Sequence, residues 1–163
     1  MLLRDTIRLR ILFSDSGFMD SVIFRHRVSV QPRFNDYDIM GHINNTLFFS
    51  FFDIGKVAYF ERVWGGFMNW RSMGIVVAHA EADFFAPIVM DEPVAVETAT
   101  VEIGHKSLVL VQRIVNPDTG QVKGTGRSVM VGFDATTGLS KPVLPECAAA
   151  IEAYEGREFT RPE

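Results

Sequence analysis

From Val22 the chain alternates: Val22, Phe24, Val28 and Val30 fall on one face, and Arg25, Arg27, Ser29 and Gln31 on the other. A period of two describes a half-buried strand. Pro32, with no amide to donate, weakens its end. A polar loop, NDYDIMGHINN, occupies 35–45. The period then changes: Leu47, Phe48, Phe51, Phe52, Ile54, Gly55, Ala58 and Tyr59 recur at helical spacing, and Phe49 and Phe60 carry the stripe almost all round. This predicts a helix over about 46–63, capped by Asn44 or Asn45 and ended by Gly65 and Gly66. A helix so apolar has to be enclosed on most sides.

Everything from there to about 133 reads as strand: IVVAHAEADFF, VAVETATVEI, SLVLVQRIV and QVKGTGRSVMVGF. The breaks PIVMDEP, GHK and NPDTG carry turn chemistry, and the last is a hairpin signal. PECAAAIEAYEGRE predicts a short terminal helix. The expected organisation is an N-terminal extension over 1–21, one domain over 22–146 and a C-terminal tail over 147–163. One long helix against one antiparallel sheet is an α+β layer architecture. A single sheet leaves an edge needing cover, and dimerisation through it is a natural remedy.

Composition narrows the class. The 163 residues suit a single domain, and 47% hydrophobic with 22% charged residues describes a folded chain. The lone Cys147 excludes an internal disulfide and a multi-thiolate zinc site, and fits a reducing, cytoplasmic setting. A net charge of −4 gives no pull towards nucleic acid, and no run approaches the roughly 18 apolar residues of a membrane span. In MLLRDTIRLRILFSDSGF, Arg8 and Arg10 interrupt the apolar stretch a secretory signal needs, and Asp5 and Asp15 argue against a presequence. That segment is read as packed on the domain or trailing from it. His79, Glu81 and Asp83 alternate along one strand face, yet a metal site needs convergence from more than one element. Neither a metal nor a cofactor is expected.

The crowding of Asp36, Asp38, His42, Asn44 and Asn45 against the mouth of an apolar helix admits two readings, a capped turn or an active site. NDYDIMGHINNTLFFSFFDIGKVAYFE resembles the signature of the 4-hydroxybenzoyl-CoA thioesterase-like hotdog proteins: an Asp-x-Asp loop, Gly-His-x-Asn-Asn, then a helix F-x-x-x-F-x-x-A-R-x-x-Y-F. Phe48, Phe52, Gly55, Lys56, Tyr59 and Phe60 fill that helix. EADFFAPIVMDEPVAVETATVEIGHKS is similar to the family's aromatic-x-x-Pro, acidic turn and Ile-Gly-x-x-Ser segment, and GTGRSVMVGFDATTG to its last strand and turn. The likeness covers about 24–143. Asp91-Glu92 stands where the family often has Gly-Asp, Phe84 where it has tyrosine, and Met40 where plant acyl-carrier-protein thioesterases have asparagine.

The resemblance implies a hotdog fold, a five-stranded antiparallel sheet wrapped around one long central helix. It implies a homodimer or homotetramer whose sites borrow residues across the subunit boundary. The implied reaction is hydrolysis of an acyl thioester of CoA or of acyl-carrier protein. Asp38 matches the catalytic carboxylate, as nucleophile or general base, and Asp36 matches an aspartate that shapes the loop. His42 either orients that carboxylate or water, or holds the loop. Asn45 is a secondary substrate contact, and helix N-terminal amides polarise the carbonyl. Asp53, on the helix, is expected to be partly buried and paired with Lys56 or with a neighbouring strand. His105, Lys106, Lys123 and Arg127 are candidates for the CoA phosphates, the last two as a single basic track. The alternatives are a non-catalytic acyl- or CoA-binding module, and a hydratase or dehydratase, whose Asp and His are spaced more widely than Asp38 and His42.

Overall fold

The computed structural model describes residues 16–65 and 73–160. Most of the expected N-terminal extension and Gly66 therefore lie outside the described residues. The elements in order are α1 (Ser16–Ser21), β1 (His26–Val30), a 3-10 turn (Phe34–Asp36), α2 (Leu47–Val63), β2 (Ile75–Phe84), β3 (Val94–Ile103), β4 (Ser107–Val115), β5 (Val122–Asp134), β6 (Leu139–Ser140) and α3 (Pro145–Glu155). The first strand starts four residues later than its alternation predicts, because the chain turns out of α1 there, the Val22 amide bonding the Met19 carbonyl at 3.3 Å.

All the strands pair antiparallel in the order β1-β3-β4-β5-β2. The two-residue β6, not foreseen, adds to β5 through Phe133–Ser140 and Asp134–Leu139. The sheet curls round α2. Along one flank of the helix Phe48, Phe52 and Lys56, each four residues apart, lie over Gly124, Gly126 and Ser128 of β5. Gly55 faces the middle of the sheet, where a Cβ would sit 2.5 Å from Val96 Cγ1 and 2.8 Å from Gln112 Nε2. Only hydrogen fits there, so the glycine sets how closely helix and sheet approach.

The core divides along the helix. Its first half packs Phe48, Phe51 and Phe52 against Val30, Ile43, Ile88, Val94, Val96 and Ile114. Its second half packs Tyr59 and Phe60 against Ile103, Leu108, Leu110 and Met130. Burying each such side chain stabilises by about 1.5–3 kcal/mol. The enclosure is incomplete on one side, where Phe49, Ile54 and Val57 remain about 40% exposed.

The terminal helix is part of this core and no loose tail. Cys147, Ala148 and Ile151 are buried against the second half of α2. Glu155, also buried, accepts from the Tyr59 hydroxyl at 2.7 Å and the Thr100 amide at 2.9 Å. Gly156, at φ +67°, ends the helix.

Candidate active site

The loop before α2 is built by its own side chains. Asp36 is buried, takes the Arg33 amide at 2.7 Å on its carboxylate, and accepts the Asn44 amide on its carbonyl at 3.1 Å. It therefore closes the loop at both ends. Gly41, at φ +73°, makes the reversal that L-residues disfavour. Inside it the Asp38 amide donates to the His42 carbonyl at 2.8 Å. Asp38 Oδ1 in turn accepts the Met40 amide at 2.8 Å and the His42 amide at 3.1 Å. One carboxylate oxygen is thus held by two amides, and Oδ2 has no partner among the described residues.

The entry to α2 differs from expectation in a way that bears on chemistry. The cap position is Thr46, and its amide and hydroxyl both reach Asn44 Oδ1, at 3.0 and 2.9 Å. The Leu47 and Phe48 amides bond the Asn44 and Asn45 carbonyls at 2.9 and 3.2 Å. Three of the amides expected to meet a substrate carbonyl are therefore engaged. The Asn45 amide has no hydrogen-bond partner among the described residues, which leaves it as the donor on offer.

The loop is hooked to the segment before β3. Ile43 bonds the Ile88 carbonyl at 2.9 Å, and His42 bridges Val89. Between loop and segment lies an open cleft of about 480 Å³ lined by Asp38, His42, Asn45, Phe84, Phe85 and Pro87. Asp38 and Asn45 are exposed and His42 is half-buried. The aromatic-x-x-Pro motif was the sequence signal for the second wall. Phe84 meets the Phe48 ring edge-on at 5.0 Å.

Lys123 holds that second wall. Its ammonium meets Glu92 at 2.5 Å and the Pro87 carbonyl at 3.0 Å. Glu92 also accepts the Asn116 amide nitrogen at 2.8 Å and the Val89 amide at 3.1 Å. Burial alone raises the Glu92 pKa. The hydrogen bonds from Lys123, Asn116 and Val89, with the Lys123 charge, outweigh it and hold the carboxyl below its ordinary value. Asp91, at φ +65°, is the non-glycine in this turn, which explains the family's preference for glycine at that place.

Lys123 and Arg127 do share a face with Thr125, but both are buried, Lys123 in the Glu92 pair and Arg127 with Glu81 at 3.7 Å. His105 and Lys106 are exposed in the β3–β4 turn, at the opposite end of the strands from Asp38. Gly124 of β5 pairs with Phe84 at the cleft, whereas Val131 pairs with Ser107 beside that turn. Seven residues of strand separate them, about 23 Å. One protomer does not bring the two together. Asp53 does pair with Lys56 as expected, at 2.8 Å, but its side chain is 70% exposed. Among the described residues no three His, Cys, Asp or Glu side chains converge on a metal position.

A single curled antiparallel sheet around a central helix, with a polar loop at the helix mouth, defines the hotdog class. The thioesterase-like superfamily model matches residues 32–151, and the chain belongs to that superfamily. The Bacillus subtilis (strain 168) protein YsmA is 30% identical over 118 residues, 72% of this chain and 78% of that one. A thioesterase from Thermus thermophilus, crystallised with coenzyme A and Zn, is 31% identical with a TM-score of 0.72, covering 82% of this chain and 96% of its own. The 1,4-dihydroxy-2-naphthoyl-CoA thioesterase Slr0204 from Synechocystis, 17% identical with a TM-score of 0.69 over 77% of this chain and 93% of its own, shares the fold. No helix among the described residues is long and apolar enough to cross a membrane.

Proposed function

We propose that the protein hydrolyses acyl-CoA thioesters in the cleft between the 34–45 loop and Phe84–Pro87. The observation that supports this best is the set of Asp38. Two loop amides fix one of its oxygens and leave the other for the cleft, which Asn45 also lines. In the proposed reaction Asp38 Oδ2 either attacks the thioester carbonyl or takes the proton of an attacking water. The Asn45 N–H, at the positive end of α2, donates to the developing oxyanion, a contribution typically worth about 10²–10³ in rate. The thiolate of CoA leaves readily, so no strong general acid is required. His42 lines the same cleft and is proposed to orient the water or the carboxylate through its ring.

The nucleotide end is proposed to be met across a dimer. β2 pairs only with β5 among the described strands, so its other edge is unpaired, and Val76 and Val77 of this strand are exposed. Phe49, Ile54 and Val57 of the helix are uncovered as well. A second copy added antiparallel along that edge reverses the strand ends. It carries the partner's His105 and the partner's Lys106 towards this protomer's cleft, where they would face the CoA phosphates. A homodimer is thus the smallest assembly that completes the site.

The test is turnover of a panel of acyl-CoAs, followed as release of free thiol. Hydrolysis of at least one is expected, and no release from any of them would refute the reading. With a substrate in hand, the double variant His105→Ala, Lys106→Ala should raise KM severalfold, more at low salt, with kcat nearly constant. An unchanged KM would point to a carrier protein as the handle.

A further inference from the structure

A second cavity lies at the end of the β1–β3 ladder. That ladder stops at the Val30–Val94 pair, and Pro32 and Pro93 have no amide with which to extend it. The opening of about 490 Å³ beyond it is lined by residues 30–32 as the chain leaves β1, by Phe34 and Tyr37, and by residues 90–93 before β3. It shares no lining residue with the Asp38 cleft. Its size is that of a small-molecule site. Phe34 is 82% exposed and Met90 48%, so both offer apolar surface to an occupant.

The lining carries two carboxylates and no basic side chain. Glu92 is matched by Lys123, and Asp36, next to Tyr37, by the Arg33 amide and guanidinium at 2.7 and 3.4 Å. Asp91 is exposed, and its carboxylate has no hydrogen-bond or ion-pair partner among the described residues. Its charge therefore stands uncompensated. The Tyr37 hydroxyl has no such partner either, and its pKa lies above the ordinary value, through burial first and then the charges of Asp91, Asp36 and Glu92. A field that holds the tyrosine proton also draws a cation. It disfavours the CoA phosphates. A metal ion is a poor fit, because no three ligating side chains converge among the described residues. A neutral apolar occupant would strip water from Asp91 and return nothing to it. An ammonium with an apolar body answers both needs, because its charge meets the carboxylate and its alkyl hydrogens suit aromatic faces.

We propose that this cavity is a second ligand site, which takes an organic ammonium ion whose charge meets Asp91 and whose apolar groups lie against Phe34, Tyr37 and Met90. It goes beyond the hydrolytic reading of the Asp38 cleft and does not depend on it.

The experiment titrates the full chain in a calorimeter with benzyltrimethylammonium, and with choline beside its uncharged isostere 3,3-dimethylbutan-1-ol. Saturable binding of benzyltrimethylammonium at a single site is expected. Choline should bind at least severalfold tighter than the isostere, the scale on which a cation gains from aromatic rings. Phe34→Ala and Asp91→Asn should each weaken benzyltrimethylammonium severalfold, whereas Phe34→Tyr, which keeps the ring, should retain the wild-type affinity. Both positions are exposed, and asparagine tolerates the left-handed backbone of Asp91, at φ +65°, so the variants should keep the wild-type Tm. Asp38→Asn should bind the cation as wild type does, since its cleft is a separate cavity. Absence of saturable binding would overturn the proposal, as would equal affinity for choline and its isostere. So would an affinity lost in Asp38→Asn and kept in Phe34→Ala and Asp91→Asn, which would put the cation in the cleft.

Discussion

Removing one member of the Glu92–Lys123 pair should unfold more than a surface contact would. Both side chains are less than 10% exposed, and the two share a 2.5 Å contact with further hydrogen bonds to Asn116, Val89 and Pro87. Glu92→Leu would strand the Lys123 ammonium in the interior, and breaking a buried pair from one side typically costs about 3–5 kcal/mol. At roughly 2–4 °C per kcal/mol for a chain of this size, Tm should fall by about 6–20 °C. The double variant Glu92→Leu, Lys123→Met removes both charges and should recover most of that loss. The pair also carries a pH signature. Because the folded-state Glu92 pKa is lowered, its contribution is present above the unfolded carboxyl pKa and is lost as pH falls through the lowered value. Urea unfolding of wild type and the two variants at pH 7 and at pH 4 reads all of this. The same series separates the structural from the substrate role of Lys123, since the double variant should keep the KM for acyl-CoA. A stable Glu92→Leu single variant would refute the reasoning, as would a double variant with restored stability and a greatly raised KM.

Gly55→Ala should destabilise by about 1–3 kcal/mol, although alanine favours helix, since its Cβ would sit 2.5 Å from Val96; a neutral result in urea would show that helix and sheet can separate freely. Tyr59→Phe should cost about 1–3 kcal/mol by leaving Glu155, among the described residues, with the Thr100 amide alone, and an unchanged midpoint would mean the terminal helix is not latched there. Burial of His26, aided by Arg62, lowers its pKa, so folding disfavours the proton; stability should be full above the ordinary value near 6.5 and decline as pH falls through it. Replacing His26 by leucine should flatten that part of the stability-against-pH curve, and an equally steep curve would assign the slope to other groups.

Much of the fold was legible because its periods are clean. The segments read as strands at 94–103 and 107–115 coincide with β3 and β4, and the helix differs by one residue at its start. The alternation from Val22 overran because alternation alone does not distinguish a strand from a chain leaving a short helix. The gathering of candidate residues was legible where it is local. Asp36, Asp38, His42 and Asn45 lie within ten residues, and the loop joins them through its own amides. Charges on the strands were not legible in this way. Periodicity placed Lys123 and Arg127 on one face correctly, but Glu92 and Glu81, which occupy them, arrive from other segments through pairings a single sequence does not display. For the same reason it could not show that His105 and Lys106 sit at the other end of the strands from Asp38.

The most direct measurement is the steady-state release of thiol by Asp38→Asn beside wild type, on whichever acyl-CoA wild type uses best. Asparagine keeps the shape and can still accept the Met40 and His42 amides, so the loop should stand and KM should stay within about threefold. kcat should fall by at least about 10², the scale on which general-base catalysis contributes. A variant that turns over at near the wild-type rate would contradict the assignment of Asp38 and move the chemistry to another group in the cleft.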